Sequence, residues 1–333
     1  MNDFPGKIAV LGGGSWATAL AKLLLNNSKR IAWYIHRQDR IDDFVSMHHN
    51  PAYLTDVEFD VNRIDFSCDI NSVCAENDTI VLAVPSPYVK ENLQNITTDL
   101  SNKRIVSAVK GIVPGDNLIV TDYIEKQLGV PYDRMLVIGG PCHAEEVAMD
   151  RLSYLTIGCT DKLSAEIFAG HISGRNLKTV VSTDTVGIEY AAVLKNIYAI
   201  ASGMVHGLRC GDNFLAMLVS NAVKEAERFV AAATKSTDRD FTDSVYLGDL
   251  LVTCYSQFSR NHNFGSLIGQ GYSVKAAKME MEMIVEGYYA TKCMHEINES
   301  VGVYMPILHE MYQILYKRKN PARAVAAMAE SFM

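Results

Sequence analysis

The chain has 333 residues, a length that predicts about two domains, and 48% of the residues are hydrophobic while 21% are charged. This balance is typical of a globular protein with sizeable cores and excludes a largely disordered chain. The net charge of −7 favours no nucleic-acid partner, although a local basic pocket for a phosphorylated small molecule is compatible with it.

The first half of the chain alternates short apolar runs with helix-length segments. Strands are predicted over residues 7–11, 30–35, 79–84, 104–109, 135–138, 154–159 and 177–181. Helices are predicted over residues 15–27, 38–47, 87–97 and 117–128. Strands joined through helices require right-handed crossovers, so the fold class predicted is α/β, with a Rossmann-type, doubly wound, mostly parallel sheet.

The pattern changes after about residue 184, where Ala, Met and Leu recur at helical spacing. We therefore predict a dinucleotide-binding, Rossmann-like domain over residues 1–185. An all-helical, substrate-binding domain is predicted over residues 186–333.

The first strand ends in a glycine loop, Gly12-Gly13-Gly14-Ser15-Trp16-Ala17, which fits the pattern G-x-G-x-x-G/A. The first glycine makes the tight turn, the second lets a pyrophosphate approach the backbone, and the small third residue permits close packing of helix and strand. A plain glycine turn is the alternative. Because the glycine loop lies between a strand and a helix, it predicts a dinucleotide site, with the pyrophosphate at the helix N-terminus.

The second strand is followed by His36 and Arg37, with Asp39 only further on. Strict NAD enzymes place an acidic residue here for the ribose hydroxyls, whereas a basic residue accepts the 2′-phosphate of NADP. The sequence therefore leaves the choice between NAD and NADP open. The alternative is that both residues are merely solvated.

Two later strands also end in candidate ligand contacts. Lys110 follows the strand over 104–109, at the edge where open α/β sheets bind ligands, although surface lysines are common. Gly140, Cys142 and His143 follow the strand over 135–138. Cys142 as a nucleophile and His143 as an acid–base group lack an identifiable partner, so packing or positioning is favoured for both.

The helical half contains two charged residues in apolar surroundings. Lys195 lies in the apolar helix predicted over 186–205, and burial would lower its pKa toward the range useful for proton transfer. The alternative is a lysine whose stem reaches the surface, but the adjacent Asn196 favours function. Asp249 also lies in an apolar run and needs a partner, for which Lys195 is suitable.

Ser259-Arg260-Asn261 forms a donor-rich cluster in an acidic protein. The planar guanidinium of arginine suits a phosphate, and the serine and asparagine supply further donors. An ordinary polar loop is the alternative. Glu286, further along, could mark a turn that reaches the cofactor.

These segments, in this order, resemble the soluble bacterial NAD(P)-dependent glycerol-3-phosphate dehydrogenases. The matching pieces are GGGSWATAL, AVPS, Lys110-Gly111, GGPCHAEEVA, AAVLKN, LGDLLVTC, SRNHNFG and VEGYYATK. The resemblance implies that Lys195 is the proton acceptor. It implies substrate contacts from Lys110, Gly140, Cys142, Asn196, Asp249, Ser259, Arg260 and Asn261. It implies cofactor contacts from Gly12, Gly14, Ser15, Trp16, Ala17, His36, Arg37, Lys110, Ala144, Arg260 and Glu286.

The sequence departs from the family pattern at several positions. Ala17 stands where glycine is usual, and it is small enough for binding to survive. Cys142 replaces the usual Ser or Thr, which weakens the hydroxyl contact expected there because a thiol is a weaker donor. His143 stands where Phe is common. His262 and Asn263 replace the more basic pair that usually follows Ser259-Arg260-Asn261, which we call the SRN cluster.

The resemblance implies an oxidoreductase that reduces dihydroxyacetone phosphate to sn-glycerol 3-phosphate with NADH or NADPH, reversibly, and so feeds glycerophospholipid synthesis. One alternative is a dehydrogenase of non-phosphorylated hydroxy acids, but the SRN cluster favours a phosphorylated substrate. Another is a non-catalytic dinucleotide sensor, which would not need the costly buried charges of Lys195 and Asp249. No metal is expected, and the oligomeric state is left open, with a homodimer as one option.

The cysteines and the apolar segments bear on the compartment. Seven scattered cysteines, an odd number with no C-x-x-C pair, predict reduced thiols and a cytoplasmic protein. No signal peptide is recognised at the start of the sequence. The most apolar stretch, residues 190–208, includes Lys195, Asn196 and His206, so a buried helix is expected and no stable membrane insertion.

Overall fold

The structure, a computed structural model, describes residues 4–332 and divides into two compact units. The first contains residues 4–109 and 120–185, and the second contains 110–119 and 186–332. The predicted boundary at 185 placed residues 110–119 in the first domain, whereas this segment groups with the second unit. Hydrogen bonds hold it there: Asn196 Nδ2 donates to Lys110 O at 2.8 Å, and Asn117 Nδ2 donates to Glu296 Oε2 at 2.8 Å.

The first unit is built on an eight-stranded sheet in the order β3-β2-β1-β4-β5-β6-β7-β8. Its strands are β1 (Ile8–Leu11), β2 (Ile31–Tyr34), β3 (Ile64–Ser67), β4 (Thr79–Leu82), β5 (Arg104–Ser107), β6 (Met135–Gly139), β7 (Ser153–Gly158) and β8 (Leu177–Ser182). All neighbours pair in parallel except β6 and β7. The predicted fold class is therefore confirmed.

The helices of the first unit lie between these strands. They are α1 (Ser15–Asn27), α2 (Gln38–Met47), α3 (Ile70–Glu76), α4 (Val89–Gln94), α5 (Val120–Leu128), α6 (Ala144–Ala148) and α7 (Lys162–Ile172). α1 buries Ala17, Leu20 and Leu24, which share one helical face, in the core that also contains Val10 and Trp33.

The strand order reverses between β1 and β4, which pair in parallel with Leu11 opposite Leu82. In doubly wound sheets, ligands bind outside the carboxyl ends of the strands at such a reversal. Gly12 follows β1 at this point. The topology thus places the glycine loop where a dinucleotide site is expected.

The second unit is helical, as the sequence predicted. Its helices are α8 (Thr185–Gly207), α9 (Asp212–Thr234), α10 (Asp249–Tyr255), α11 (Arg260–Gly269), α12 (Val274–Glu280), α13 (Glu286–Val301), α14 (Pro306–Lys317) and α15 (Pro321–Ser331). α8 is buried along most of its length. Within residues 4–332, no helix is both long and apolar enough to cross a membrane.

Glycines bring the backbones of α8 and α11 into direct contact. A Cβ added at Gly203 of α8 would lie 1.8 Å from His262 O, and one at Gly265 of α11 would lie 2.0 Å from Ile200 O. At Gly207 and Gly269, one helical turn further along each helix, an added Cβ would lie 2.3 and 2.4 Å from backbone oxygens of the other helix. Both helices therefore require glycine at this contact, because any side chain would force them apart.

We predict that Gly265→Ala lowers the free energy of unfolding by roughly 3 kcal/mol or more, the upper end for an overpacked contact. The clash is with backbone, which does not move aside as a flexible side chain does. Chemical denaturation followed by circular dichroism measures the change.

Gly170→Ala is the matched control, because Gly170 lies within α7 and an added Cβ would meet no atom within 4 Å. This change should stabilise the protein by up to ~1 kcal/mol, since alanine is the better helix former. Equal effects of the two substitutions would contradict the close contact.

Candidate active site

The glycine loop of the first unit leaves the N-terminus of α1 open. Gly12 has a φ of 125°, and a Cβ there would lie 2.5 Å from Ala83 O, so only glycine fits. At Gly14 an added Cβ would have no atom within 4 Å, and no side chain caps the helix at this residue. Space and the backbone N–H groups of the first turn are therefore available to an anion such as a pyrophosphate.

Two carbonyl groups of this loop accept hydrogen bonds from buried side chains. Gly12 O accepts from Trp33 Nε1 at 2.7 Å, and Gly13 O accepts from Asn50 Nδ2 at 3.0 Å. Asn50 is buried, and its Oδ1 accepts from the backbone N–H groups of residues 52 and 53. Asn50 lies in a polar loop with no motif around it, so the sequence gives no sign of this role.

His36 and Arg37, which follow β2, are exposed. Arg37 Nε donates to Asp39 Oδ1 at 2.9 Å, and a second contact joins Arg37 Nη2 to Asp39 Oδ2. The hydrogen bond from Arg37 lowers the pKa of Asp39. The guanidinium therefore already has a carboxylate partner in the structure.

The loop after β6 is shaped by backbone contacts. Gly140 has a φ of 115°, and a Cβ there would lie 2.9 Å from Tyr154 O. The Cys142 thiol is buried and donates to the same carbonyl oxygen at 3.1 Å. Ala144, also buried, begins α6. In this structure the thiol thus makes a hydrogen bond to the backbone of β7.

In the second unit, Lys195 and Asp249 form a buried ion pair. Their exposed fractions are 6% and 2%, and Lys195 Nζ donates to Asp249 Oδ1. Lys110 Nζ lies 3.5 Å from Asp249 Oδ2, so one carboxylate faces two ammonium groups. Burial lowers the pKa of Lys195 from 10.5 to about 7, against the opposing effect of Asp249. A lysine that loses its proton near neutral pH can act as a general base.

Local backbone structure places Asp249. A π-helical turn, Ser244–Gly248, leads directly into α10, where Asp249 is the first residue. Thr253, one turn later, donates its Oγ1 to Asp249 O at 2.6 Å and is buried. Thr253 was not predicted at the site, although its i+4 spacing from Asp249 puts it on the same helical face.

A chain of amide hydrogen bonds joins three segments of the second unit. Asn196 Nδ2 donates to Lys110 O at 2.8 Å, and Asn261 Nδ2 donates to Asn196 Oδ1 at 2.9 Å. Asn261 Oδ1 accepts from the backbone N–H of Gly287 at 2.9 Å. Each asparagine thus uses one N–H for the network, and an amide group carries a second that can reach a ligand. Gly287, which was not predicted at the site either, is required because a Cβ there would lie 2.5 Å from Asn196 O.

The SRN cluster lies at the N-terminus of α11. Ser259 is its N-cap and accepts from His262 N–H at 3.3 Å through Oγ. Arg260 is exposed, and its guanidinium makes no hydrogen bond or ion pair with any residue between 4 and 332. An arginine without an internal partner is available to an external anion. Glu286, also predicted at the site, begins α13 beside Gly287.

Comparisons with known proteins converge on one family. The N-terminal profile of NAD-dependent glycerol-3-phosphate dehydrogenase matches residues 7–165, and the C-terminal profile of the same family matches residues 184–326. The chain is 33% identical over 326 residues to a glycerol-3-phosphate dehydrogenase (NAD(P)+) of Lysinibacillus sphaericus (strain C3-41), covering 97% of this chain and 95% of that protein.

Two further proteins show the same likeness. The protein of the same description from Bacillus subtilis (strain 168) is 32% identical over 324 residues, covering 97% of this chain and 93% of its own. The crystal structure of glycerol-3-phosphate dehydrogenase from Coxiella burnetii superposes with a TM-score of 0.89 at 28% identity, covering 98% of this chain and 99% of that one. The likeness therefore extends over both units.

Proposed function

The chain belongs to the family of NAD-dependent glycerol-3-phosphate dehydrogenases, and we propose that it interconverts dihydroxyacetone phosphate and sn-glycerol 3-phosphate with NAD(P)H and NAD(P)+. The observation that carries the proposal is the buried Lys195–Asp249 pair beside Asn196, in a unit that also presents an unpaired Arg260. These groups supply a proton acceptor and an anion site, which this reaction needs together.

The cofactor is proposed to bind the first unit at the glycine loop. The turn at Gly12 and the open space at Gly14 fit a pyrophosphate on the first turn of α1, which contains Ser15, Trp16 and Ala17. The nicotinamide, when bound, supplies or accepts the hydride. His36 and Arg37 are the proposed contacts of the adenosine ribose. The other cofactor contacts implied by the family, at Lys110, Ala144, Arg260 and Glu286, are part of the same proposal.

Lys195 is proposed to handle the proton. In the oxidation direction its neutral amine accepts the proton of the substrate hydroxyl, and in the reduction direction its ammonium returns that proton. Asp249 stabilises the charged form, while burial favours the neutral form, so the amine changes state near neutral pH. Asn196, with one amide N–H in the structural network, is proposed to orient the substrate oxygen.

The phosphate of the substrate is proposed to bind at Arg260. The guanidinium is exposed and unpaired among residues 4–332, and Ser259 and Asn261 flank it. Because the phosphate does not react, its binding energy serves to position the carbon that exchanges the hydride. Substrate contacts from Lys110, Gly140, Cys142 and Asp249 complete the proposal.

The two alternative functions explain less of the site. A dehydrogenase of non-phosphorylated hydroxy acids could also use Arg260, for the substrate carboxylate, but the family and its relatives favour the phosphorylated substrate. A non-catalytic dinucleotide sensor has no need for an ion pair whose burial costs stability unless it is compensated. We propose a cytoplasmic enzyme, supported by seven free cysteines, that feeds glycerophospholipid synthesis. A homodimer stays a prediction.

Lys195→Ala should lower kcat by ~10²–10⁴-fold, the usual cost of losing a positioned proton-transfer group. In the wild-type enzyme, kcat for glycerol 3-phosphate oxidation should rise with pH around 7, because the base is active only when its proton has left. That rise should be absent in the variant. Initial rates between pH 5.5 and 9, roughly two units either side, measure both.

Binding of NADH to the same variant is the control, since Lys195 is not proposed to contact the pyrophosphate. Fluorescence titration should give a dissociation constant close to that of the wild type. Near-normal turnover by folded Lys195→Ala protein would show that another group accepts the proton.

Arg260→Lys should impair catalysis substantially even though it keeps the charge, because lysine lacks the planar fork of donors. Arg260→Ala should be worse, since each charge-assisted hydrogen bond contributes roughly 1.5–3 kcal/mol, or about 10- to 150-fold in kcat/KM. Steady-state rates with dihydroxyacetone phosphate measure the loss.

Dihydroxyacetone, which lacks the phosphate, is the matched control substrate. The wild type should reduce it very poorly, and Arg260→Ala should make little further difference. Comparable rates of the wild type with both compounds would rule out phosphate recognition and favour the hydroxy-acid alternative.

Cofactor choice should respond to the Arg37–Asp39 pair. Asp39→Asn releases the guanidinium and should lower KM for NADPH a few-fold, because the pair is exposed and its interaction is modest, while KM for NADH changes little. Arg37→Glu should do the opposite and weaken NADPH far more than NADH. If both cofactors respond equally to both variants, this loop does not contact the 2′-phosphate.

A further inference from the structure

Each of the three carbonyl groups in the glycine loop accepts a hydrogen bond from a buried side chain. Trp33 Nε1 and Asn50 Nδ2 donate to the first two carbonyls. Thr18 Oγ1 donates to the third, Gly14 O, at 2.9 Å. Trp33 and Thr18 are fully buried, and Asn50 is 3% exposed. The donors belong to β2, α1 and the loop after α2, so the tertiary fold of the first unit brings them to the glycine loop.

A carbonyl group that points into the protein also fixes the direction of the next N–H group. In a planar trans peptide, the C=O of one residue and the N–H of the next point in opposite directions. The inward carbonyls therefore turn the N–H groups of Gly13, Gly14 and Ser15 away from the interior. None of these three N–H groups donates to another residue between 4 and 332. Successive N–H groups that face outward in this way form an anion site.

Asn50 differs from the other two donors because its amide group is fully used inside the protein. Its two N–H bonds donate to Gly13 O at 3.0 Å and to Thr18 Oγ1 at 2.8 Å. Its Oδ1 accepts from the backbone N–H groups of Ala52 at 3.0 Å and Tyr53 at 3.1 Å. An asparagine amide offers two donors and one oxygen with two lone pairs, so these four bonds leave no position for a ligand.

The bond from Asn50 controls the peptide between Gly13 and Gly14. Without it, Gly13 O would be turned into the protein with no donor, which is costly for a carbonyl group. The peptide would then rotate toward water. This rotation would turn the Gly14 N–H away from the anion site and bring a carbonyl oxygen, with its partial negative charge, into it. Both changes would weaken the binding of phosphate groups.

We propose that Asn50 is a positioning residue for the dinucleotide. Its amide holds the glycine loop in the form whose N–H groups bind the pyrophosphate, and the residue itself does not touch the ligand. The inference rests on the proposed binding of NAD(P)H at the glycine loop. It adds a residue 37 positions away from Gly13 in sequence to the groups on which that binding depends.

Asn50→Ala tests this role. The dissociation constant of NADH should rise roughly tenfold, the effect of about one lost charge-assisted hydrogen bond. Fluorescence titration measures the change. At saturating NADH, kcat and the KM for dihydroxyacetone phosphate should stay close to the wild-type values, because Asn50 acts on cofactor binding alone.

Two fragments of the cofactor separate positioning from general damage to the unit. ADP-ribose contains the pyrophosphate, whereas adenosine contains no phosphate. As competitive inhibitors against NADH, ADP-ribose should lose affinity in Asn50→Ala by the same factor as NADH, and adenosine should keep its inhibition constant. A merely structural role would weaken the binding of both fragments.

Asn50→Asp is the second variant, of nearly the same size and shape. It keeps the oxygen that accepts from Ala52 and Tyr53 but replaces the two N–H donors by a carboxylate oxygen. ADP-ribose should therefore bind at least as weakly as to Asn50→Ala. Because alanine adds no charge, a loss shared by the two variants does not come from repulsion of the phosphates. Wild-type affinity in Asn50→Asp would overturn the role of the donor.

Asn77→Ala is the matched control. Asn77 is also a buried asparagine of the first unit, and its Nδ2 donates to the backbone carbonyl of Val73 at 2.8 Å. It precedes β4, whereas the glycine loop follows the parallel strand β1, so the two lie at opposite edges of the sheet. Asn77→Ala should lower the melting temperature about as much as Asn50→Ala and leave the dissociation constants of NADH and ADP-ribose unchanged.

Three results would overturn the role of Asn50: an unchanged affinity of Asn50→Ala for ADP-ribose, an equal loss for adenosine, or an equal loss in Asn77→Ala. Because binding is measured apart from turnover, failure of the proposed reaction is recognised separately. Wild-type protein that binds ADP-ribose but does not reduce dihydroxyacetone phosphate would overturn the proposed reaction and leave the role of Asn50 intact. Wild-type protein that binds neither NADH nor ADP-ribose would overturn both.

Discussion

The contact between the backbones of α8 and α11 determines where the polar groups of the second unit lie. Gly203 and Gly265 leave no room for a side chain, so the two helices meet backbone against backbone. At that separation Asn261 Nδ2 reaches Asn196 Oδ1 at 2.9 Å, and Asn261 Oδ1 reaches the N–H of Gly287. A wider spacing would break the hydrogen bond between Asn261 and Asn196, which joins the two helices.

The burial of Lys195 has two consequences that cannot be separated. Removal of water lowers its pKa to about 7, which makes the amine useful for proton transfer, but it also makes the charged form costly. Asp249 compensates for that cost and is itself shared with Lys110. The site therefore combines reactivity with local instability, and the close packing around it supplies the stability that the buried charges do not.

Much of the architecture could be predicted from local sequence. The alternation of apolar runs and helices predicted the parallel sheet, and the glycine pattern predicted the turn at Gly12. β3 escaped notice because Ile64–Ser67 contains polar residues and is held mainly by pairing with β2. The grouping of residues 110–119 with the second unit was not predicted either, because it depends on hydrogen bonds to Asn196 and Glu296, which are both far away in sequence.

The sequence by itself determined the types of residue available: a glycine turn, a lysine and an aspartate in apolar runs, and an arginine flanked by donors. Periodicity and composition reveal such features because they act over a few neighbouring residues. Only the tertiary structure decided which of them meet. Asn50, Thr253 and Gly287 matter through the atoms that they contact, and the sequence around them has no motif that indicates those contacts. The physical reason is that pairing across the fold depends on the separation of helices and on burial, and both arise only when the whole unit has packed.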